Sequence, residues 1–273
     1  MVSNPTVPCT AKPPAATVSA MNTTIATRLL SLFLLGLMLQ SASAATTGLR
    51  VLFLGDNGHH RPADRFKQIQ PVLANKGIEA VYTDDLADLN AARFAGFDCL
   101  VVYANHTRIA PEQEKAVLDF VAAGGGFVPL HCASYCFLNS PNYIDLVGGQ
   151  FKSHGTGTFK DTIINTSHVV MEGVSPIESW DETYVHTKHN TNRIVLAERR
   201  DDKGAEPYTW VREHGKGRVF YTAWGHDQRT WSHAGFQKLV ENGIRWASVN
   251  SPSQLNARTG LKAFDYKDRK SVV

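Results

Sequence analysis

From residue 49 onward, apolar runs of strand length alternate with stretches of helical spacing. Residues 49–55 form a near-continuous apolar run, the mark of a parallel strand buried on both faces. In residues 63–76, Phe66, Ile69, Val72 and Leu73 share one helical face, and Gly77 ends the stretch. A second strand is predicted at 78–82, a short helix at 91–96 and a third strand at 98–104. Pro111 opens the next helix, whose buried stripe is Val117, Leu118, Phe120 and Val121. Three glycines, Gly124 to Gly126, stop that helix, and an apolar run leads to His131-Cys132. Strand and helix alternate four times before residue 136, which predicts a doubly wound, mostly parallel sheet with right-handed crossovers.

Farther along the pattern loosens. Residues 143–149 read as a short helix closed by glycine, 150–155 as a loop, 157–165 as a strand and 174–182 as irregular. Alternation returns at 184–189, and 194–198 is a strand. Residues 208–213 and 218–224 are two strands joined by His214-Gly215-Lys216-Gly217, the signature of an added β-hairpin. Phe236, Leu239, Val240, Ile244 and Trp246 form a closing amphipathic helix, and a polar tail covers 249–273.

The stretch from Gly124 to Cys136 organises the rest. A strand turning sharply into a helix pushes one side chain into the open at the sheet's carboxyl edge, as in a nucleophile elbow. Such a turn crowds the residues two before and two after its tip. With His131 at the tip these are the compact Pro129 and Ala133; with Cys132 they are Leu130 and Ser134. His131 is therefore placed at the tip, with Cys132 beside it.

The amino-terminal segment reads as processing rather than fold. Residues 1–20, rich in Pro, Ala, Thr and Ser, are expected to be untranslated or unstructured. Residues 21–44 read as a signal peptide, with Arg28 as the positive flank, an apolar stretch at 29–39 and a small-residue cleavage site at Ala42-Ser43-Ala44. Its apolar run is short for a membrane span. A periplasmic or secreted protein without a stable membrane anchor is thus expected, with residues 45–248 as its α/β domain. Export implies an oxidising compartment. Cys132 and Cys136 stand four apart, a spacing that gives poor disulfide geometry along a helix, so they are expected to be unbridged. The 273 residues are 43% hydrophobic and 19% charged, with a net charge of +3 and no dense basic run, which argues against a nucleic-acid partner.

Several blocks stand together: Gly124 to Ser134, Gly148-Gly149-Gln150-Phe151-Lys152-Ser153-His154, Trp210 to Tyr221, Gly225-His226-Asp227 and Gly243-Ile244-Arg245-Trp246-Ala247. The set resembles the ThuA-like, or trehalose-utilisation, family over residues 49–248. That family is similar in fold to the class I glutamine amidotransferases, so the resemblance implies a flavodoxin-like core and a link to sugar metabolism. The amidotransferases place a cysteine at the elbow; here the tip is His131, and Cys132 is displaced by one. Glutamine hydrolysis is accordingly not expected.

Candidate chemistry gathers in the loops. Eleven histidines are present, mostly beside Gly, Asn and Asp. His131, His154 and His226 lie in loops that one sheet edge could unite. They suit either a divalent metal site, with zinc as the natural ion, or metal-free acid–base chemistry on a sugar. Catalytic candidates are His131, Cys132, His226, Asp227 and Glu182. Substrate candidates are Asp56, His59, His60, Asn105, His154, Trp224 and Arg229. His186 and His189 stand three apart on opposite faces of a strand and are set aside as a pair. Three activities remain open: an enzyme acting on a disaccharide or keto-sugar, a non-catalytic carbohydrate-binding protein, and a Cys132-dependent hydrolase. A small-molecule sugar is the expected partner, in a chain that could form a homo-oligomer.

Overall fold

Strands that need cover on both faces lie side by side at the centre of a nine-stranded sheet. The computed structural model describes residues 48–255; the expected signal segment and most of the polar tail lie outside the described residues. The strands are β1 (Leu49–Leu54), β2 (Ile78–Thr83), β3 (Cys99–Val102), β4 (Gly126–Pro129), β5 (Gln150–Ser153), β6 (Thr156–Ile163), β7 (Glu178–Glu182), β8 (Val185–Thr187), β9 (Ile194–Asp201), β10 (Gly204–His214) and β11 (Gly217–Thr222). The helices are α1 (Pro62–Ala74), α2 (Ala91–Phe94), α3 (Pro111–Ala122), α4 (Pro141–Val147), α5 (Gln228–Ser232) and α6 (Ala234–Ala247).

The sheet runs β2-β1-β3-β4-β11-β10-β9-β6-β7. Its first five strands pair in parallel, and β10, β9, β6 and β7 extend it antiparallel, so the architecture is a mixed α/β sheet. Val51, Leu52, Phe53, Leu54, Leu100, Val101, Val102, Phe127 and Val128 are all buried. Burying each such side chain contributes about 1.5–3 kcal/mol. The closing helix α6 turns Phe236, Leu239, Val240, Ile244 and Ala247 inward and packs on β4 and β11. Helix α4 ends at Gly148, whose φ of 93° is left-handed, as the glycine-closed helix requires.

Two expectations are corrected. Residues 150–155 are not a plain loop: β5 pairs with β8 as a separate two-stranded ribbon. Residues 174–182 are not wholly irregular: they end in β7. Both strands are paid for by distant partners rather than by a local alternation of apolar residues.

The antiparallel half curls. In a flat sheet β7 would lie five strand spacings from β4, about 24 Å. Strand β6 bends instead: Thr156 to Lys160 pair with β7, whereas Asp161 to Ile163 pair with β9. At the bend the buried Asp161 carboxylate accepts from Trp224 Nε1 at 2.9 Å and from the Ile177 amide at 2.8 Å. Phe159 stacks on Trp224 with centroids 4.3 Å apart. The carboxyl end of β7 is thereby folded back onto the carboxyl ends of β4 and β11.

Candidate active site

Ligands of open α/β sheets bind beyond the carboxyl ends of the strands. Here the loops after β1, β4 and β11 and the carboxyl end of β7 deliver His60, His131, Glu182 and His226 to one point. One ligand atom from each of the four lies within 4.8 Å of all the others.

His131 follows β4 with φ 45°, a left-handed value rare for a residue with a Cβ. The elbow is present, continued by a 3₁₀ turn over His131–Tyr135 rather than an α-helix. His131 Nδ1 is 2.7 Å from the Ala223 carbonyl oxygen. A carbonyl only accepts, so Nδ1 carries a proton and Nε2 is the nitrogen turned to the cluster. It stands 3.3 Å from Glu182 Oε2. His226 Nδ1 faces Glu182 Oε1 at 3.2 Å. Neither contact is aligned as a hydrogen bond. His60 Nε2, His131 Nε2 and His226 Nδ1 are all buried with no hydrogen-bond partner. The His60 ring lies 5.1 Å from that of His131 and 5.2 Å from that of His226.

Asp181 staples the two halves of the site together. Fully buried, it accepts from the backbone amides of Glu182 at 2.8 Å, His226 at 3.1 Å and Gly225 at 3.3 Å, and from the Thr230 hydroxyl. Gly225 has φ 134°, and a Cβ there would stand 3.3 Å from the His131 Cβ. A glycine therefore lets His226 approach the elbow.

Burial drives the His60 pKa far below its ordinary value, helped by the neighbouring His131, His59 and His226. His226 is lowered by burial and then by His131. Both imidazoles are thus neutral with lone pairs available. Burial pushes the Glu182 carboxyl upward, but the neighbouring His131, His226 and His154 outweigh it, and the net shift is downward. Three ring nitrogens around a carboxylate are a donor set that could hold a divalent metal ion.

The other candidates fall in varied places. His154 is a correction to the expected metal set. It is exposed at the rim, Nδ1 3.5 Å from Glu182 Oε1, and His60 takes the place assigned to it. Trp224 is another: it is fully buried and bonded to Asp161, so it belongs to the core. Asp227 caps α5 through the Arg229 amide and pairs with the Arg229 side chain, not with His226. Cys132 is buried, and burial, with the nearby Cys136, drives its thiol well above the ordinary range; it is not an activated nucleophile. Cys99, Cys132 and Cys136 are free thiols. Arg229 is exposed and stacks on Trp180, its guanidinium carbon 4.7 Å from the ring centroid. His59 is exposed, its ring 4.0 Å from that of His60. Asp56 accepts from the amides of Gly58, at 2.7 Å, and Asn105, which makes it a loop brace. An aromatic wall flanks the cluster: Tyr184 stacks on His131 at 4.2 Å, Phe151 lies tilted against Tyr184 at 4.6 Å and Tyr135 meets Phe151 edge-on at 5.4 Å.

Fold and cluster define an α/β protein with a buried His/Glu centre at the carboxyl edge of its sheet. The family model for ThuA, described as trehalose utilisation, matches residues 50–247, and the chain belongs to that family. It is a sugar-related protein whose buried cluster could form an active site. A ThuA-like protein of Parabacteroides merdae is similar at 20% identity and a TM-score of 0.66, covering 74% of this chain and 91% of that one. One from Bacteroides uniformis is similar at 17% identity and a TM-score of 0.66, covering 77% and 95%. A cytoplasmic protein of Salmonella typhimurium shares the fold at 13% identity and a TM-score of 0.52, covering 73% and 99%. No curated protein matches the chain. The expected periplasmic or secreted location is corrected by this comparison, since proteins of the fold include ones named as cytoplasmic. Among the described residues no helix is long and apolar enough to cross a membrane.

Proposed function

We propose that the chain is an enzyme acting on a disaccharide or keto-sugar, and that its reaction centre is a divalent-metal site held by His60, His131, Glu182 and His226. One observation carries the reading: three buried ring nitrogens without partners converge on one carboxylate. Such orphaned groups each cost about 1–3 kcal/mol unless something satisfies them. A divalent ion satisfies all of them at once. An ion bound there would polarise a sugar oxygen and acidify a bound water.

Four protein donors close a tetrahedron, so turnover would require an ion that accepts five or six ligands. Manganese, cobalt, nickel or a five-coordinate zinc meets that condition. The chain's own residues supply the rest. The Ala223 carbonyl orients the His131 ring, and Asp181 holds Glu182 and His226 in register. Phe151 and Tyr135 offer apolar faces for a sugar ring, and His154 and His59 stand exposed for its hydroxyls. The finer fold reading belongs here too. The order β2-β1-β3-β4-β11 matches a flavodoxin-like sheet, with β10 and β11 as the added hairpin. Helices α1, α5 and α6 pack together, as do α2, α3 and α4, which supports double winding.

The test is elemental analysis of the purified protein, followed by a turnover screen of disaccharides and their keto forms with and without added metal. Stoichiometric metal and metal-dependent turnover are expected. Turnover that survives complete chelation overturns the metal role. Sugar binding without product over the whole screen would leave a carbohydrate-binding protein.

A further inference from the structure

Beneath the elbow runs a second buried polar chain that the metal reading does not use. His186 on β8 has a fully buried side chain. Its Nδ1 lies 3.0 Å from Glu206 Oε1, and its backbone amide donates to the same oxygen at 3.0 Å. Its Nε2 lies 3.0 Å from the Tyr221 hydroxyl. The hydroxyl of Tyr221, buried on β11, stands 3.0 Å from the His131 carbonyl oxygen and 3.0 Å from Ser134 Oγ, and its single hydrogen is shared among these and His186 Nε2. Ser134 in turn donates to the same carbonyl at 3.1 Å. Trp210 seals the chain, stacked on Tyr221 at 4.2 Å and edge-on to His186 at 5.2 Å.

Burying a carboxylate and an imidazole is costly, and apolar residues of the same volume often serve stability as well or better. What this chain specifies is a backbone. His131 is held at φ 45°, a conformation that costs about 1–3 kcal/mol for a residue with a side chain. Two hydroxyls lie against its carbonyl, and Ala223 holds its ring at Nδ1. With both ends fixed, Nε2 has one direction left, toward Glu182 and His226.

We propose that Glu206, His186 and Tyr221 are positioning residues for His131, acting through the Tyr221 hydroxyl on the elbow carbonyl to aim Nε2 into the cluster. The ligand they serve rests on the metal reading above, but the geometry they set belongs to the metal-free protein as well. Outer partners of this kind typically change metal affinity 10–100-fold.

The experiment compares wild type with Tyr221→Phe and Glu206→Gln in the full chain. Cobalt(II) titrations followed by visible absorption give affinity and coordination geometry. Side-chain nitrogen NMR of the metal-free proteins gives the tautomer of His131. Phe53→Leu, a core change distant from the chain, reports what lost stability alone does. Both variants are expected to bind cobalt 10–100-fold more weakly with an altered absorption band. Their His131 ring is expected to lose the single Nδ1–H tautomer of wild type, while Phe53→Leu keeps affinity, band and tautomer. If Tyr221→Phe fails to fold, Glu206→Gln, nearly isosteric, carries the same comparison. Wild-type affinity, band and tautomer in the variants overturn the proposal. A wild type that takes up no cobalt overturns the metal reading instead, and the tautomer measurement then decides the positioning role.

Discussion

Glu182→Gln separates the two physical accounts of the cluster by the size of its effect. In the metal-free protein His131 Nε2 stands 3.3 Å from Glu182 Oε2 in a contact that is not aligned as a hydrogen bond. A glutamine amide can donate to that nitrogen in place of the lost charge, so the metal-free variant should stay within about 1 kcal/mol of wild type. Metal separates the two proteins. At a hundred times its Kd an ion stabilises wild type by about 2.7 kcal/mol. At roughly 2–4 °C per kcal/mol for a domain of this size, that raises Tm by about 5–11 °C. The variant, lacking the anionic donor, should show almost none of this rise. The assay is thermal unfolding of both proteins in chelator and in manganese, cobalt, nickel or zinc. If the cluster were instead a buried ion pair, removing its carboxylate would cost about 3–5 kcal/mol. A Tm drop of that size in chelator, with a wild type indifferent to every metal, would refute the reasoning.

Cys132→Ala should leave turnover and metal content unchanged and cost about 1 kcal/mol in stability, because the buried thiol stays protonated; loss of turnover in a folded variant would return the thiol to the reaction. Asp181→Asn should cost about 3 kcal/mol and release the metal without touching a ligand, since one carboxylate serves four donors; chemical denaturation and metal analysis check both. Trp224→Phe should weaken folding by about 1–3 kcal/mol through the stranded Asp161, yet leave the KM for any sugar unchanged. Metal-free stability should fall as pH drops. His60 has a folded pKa far below its ordinary 6.5, so below about pH 6.5 the unfolded chain takes up a proton that the folded one refuses. The loss approaches about 1.4 kcal/mol per pH unit from this residue. His226 has the same sign, and the lowered Glu182 adds a loss at more acid pH, since its contribution is present above 4.5 and vanishes as pH falls through its folded value. Denaturant midpoints that stay level between pH 7 and pH 5 would contradict this.

The parallel half of the fold was legible because strands covered on both faces must be apolar throughout, as Val51 to Leu54 and Leu100 to Val102 are. The elbow was legible because crowding restricts the residues around its tip. Strand β7 was not, for the reverse reason. Its inward positions, Ser179 and Asp181, are polar, and they are buried by hydrogen bonds to Thr230, Gly225 and His226 that no local pattern announces. Strand β5, Gln-Phe-Lys-Ser, carries one apolar residue and exists through its partner β8. The site was half legible. His131, His226 and Glu182 were candidates from their loops, but choosing between His60 and His154 as the remaining ligand depended on how β6 bends. Spacing along the chain holds no measure of that bend.

A histidine at the tip of the elbow, with a cysteine one residue on, explains why this elbow offers an imidazole to the cluster. A left-handed residue between a strand and a turn thrusts its own side chain over the sheet edge, while its successor is turned toward the core. His131 has φ 45° and its Nε2 in the cluster; Cys132 is buried beside it with its thiol suppressed. The same backbone strain that elsewhere exposes a nucleophile here exposes an imidazole. A histidine is useful in that position only if its ring cannot turn, since rotation would exchange a free lone pair for an N–H. Ala223 prevents the exchange from one side. The antiparallel strands then supply what the parallel half lacks: Glu182, carried back by the bend in β6, is the only carboxylate in the converging set. Straightening β6 would take that charge away and leave three neutral imidazoles, a far weaker hold on a divalent ion. The curl of the sheet thus decides the composition of the cluster as well as the shape of the fold.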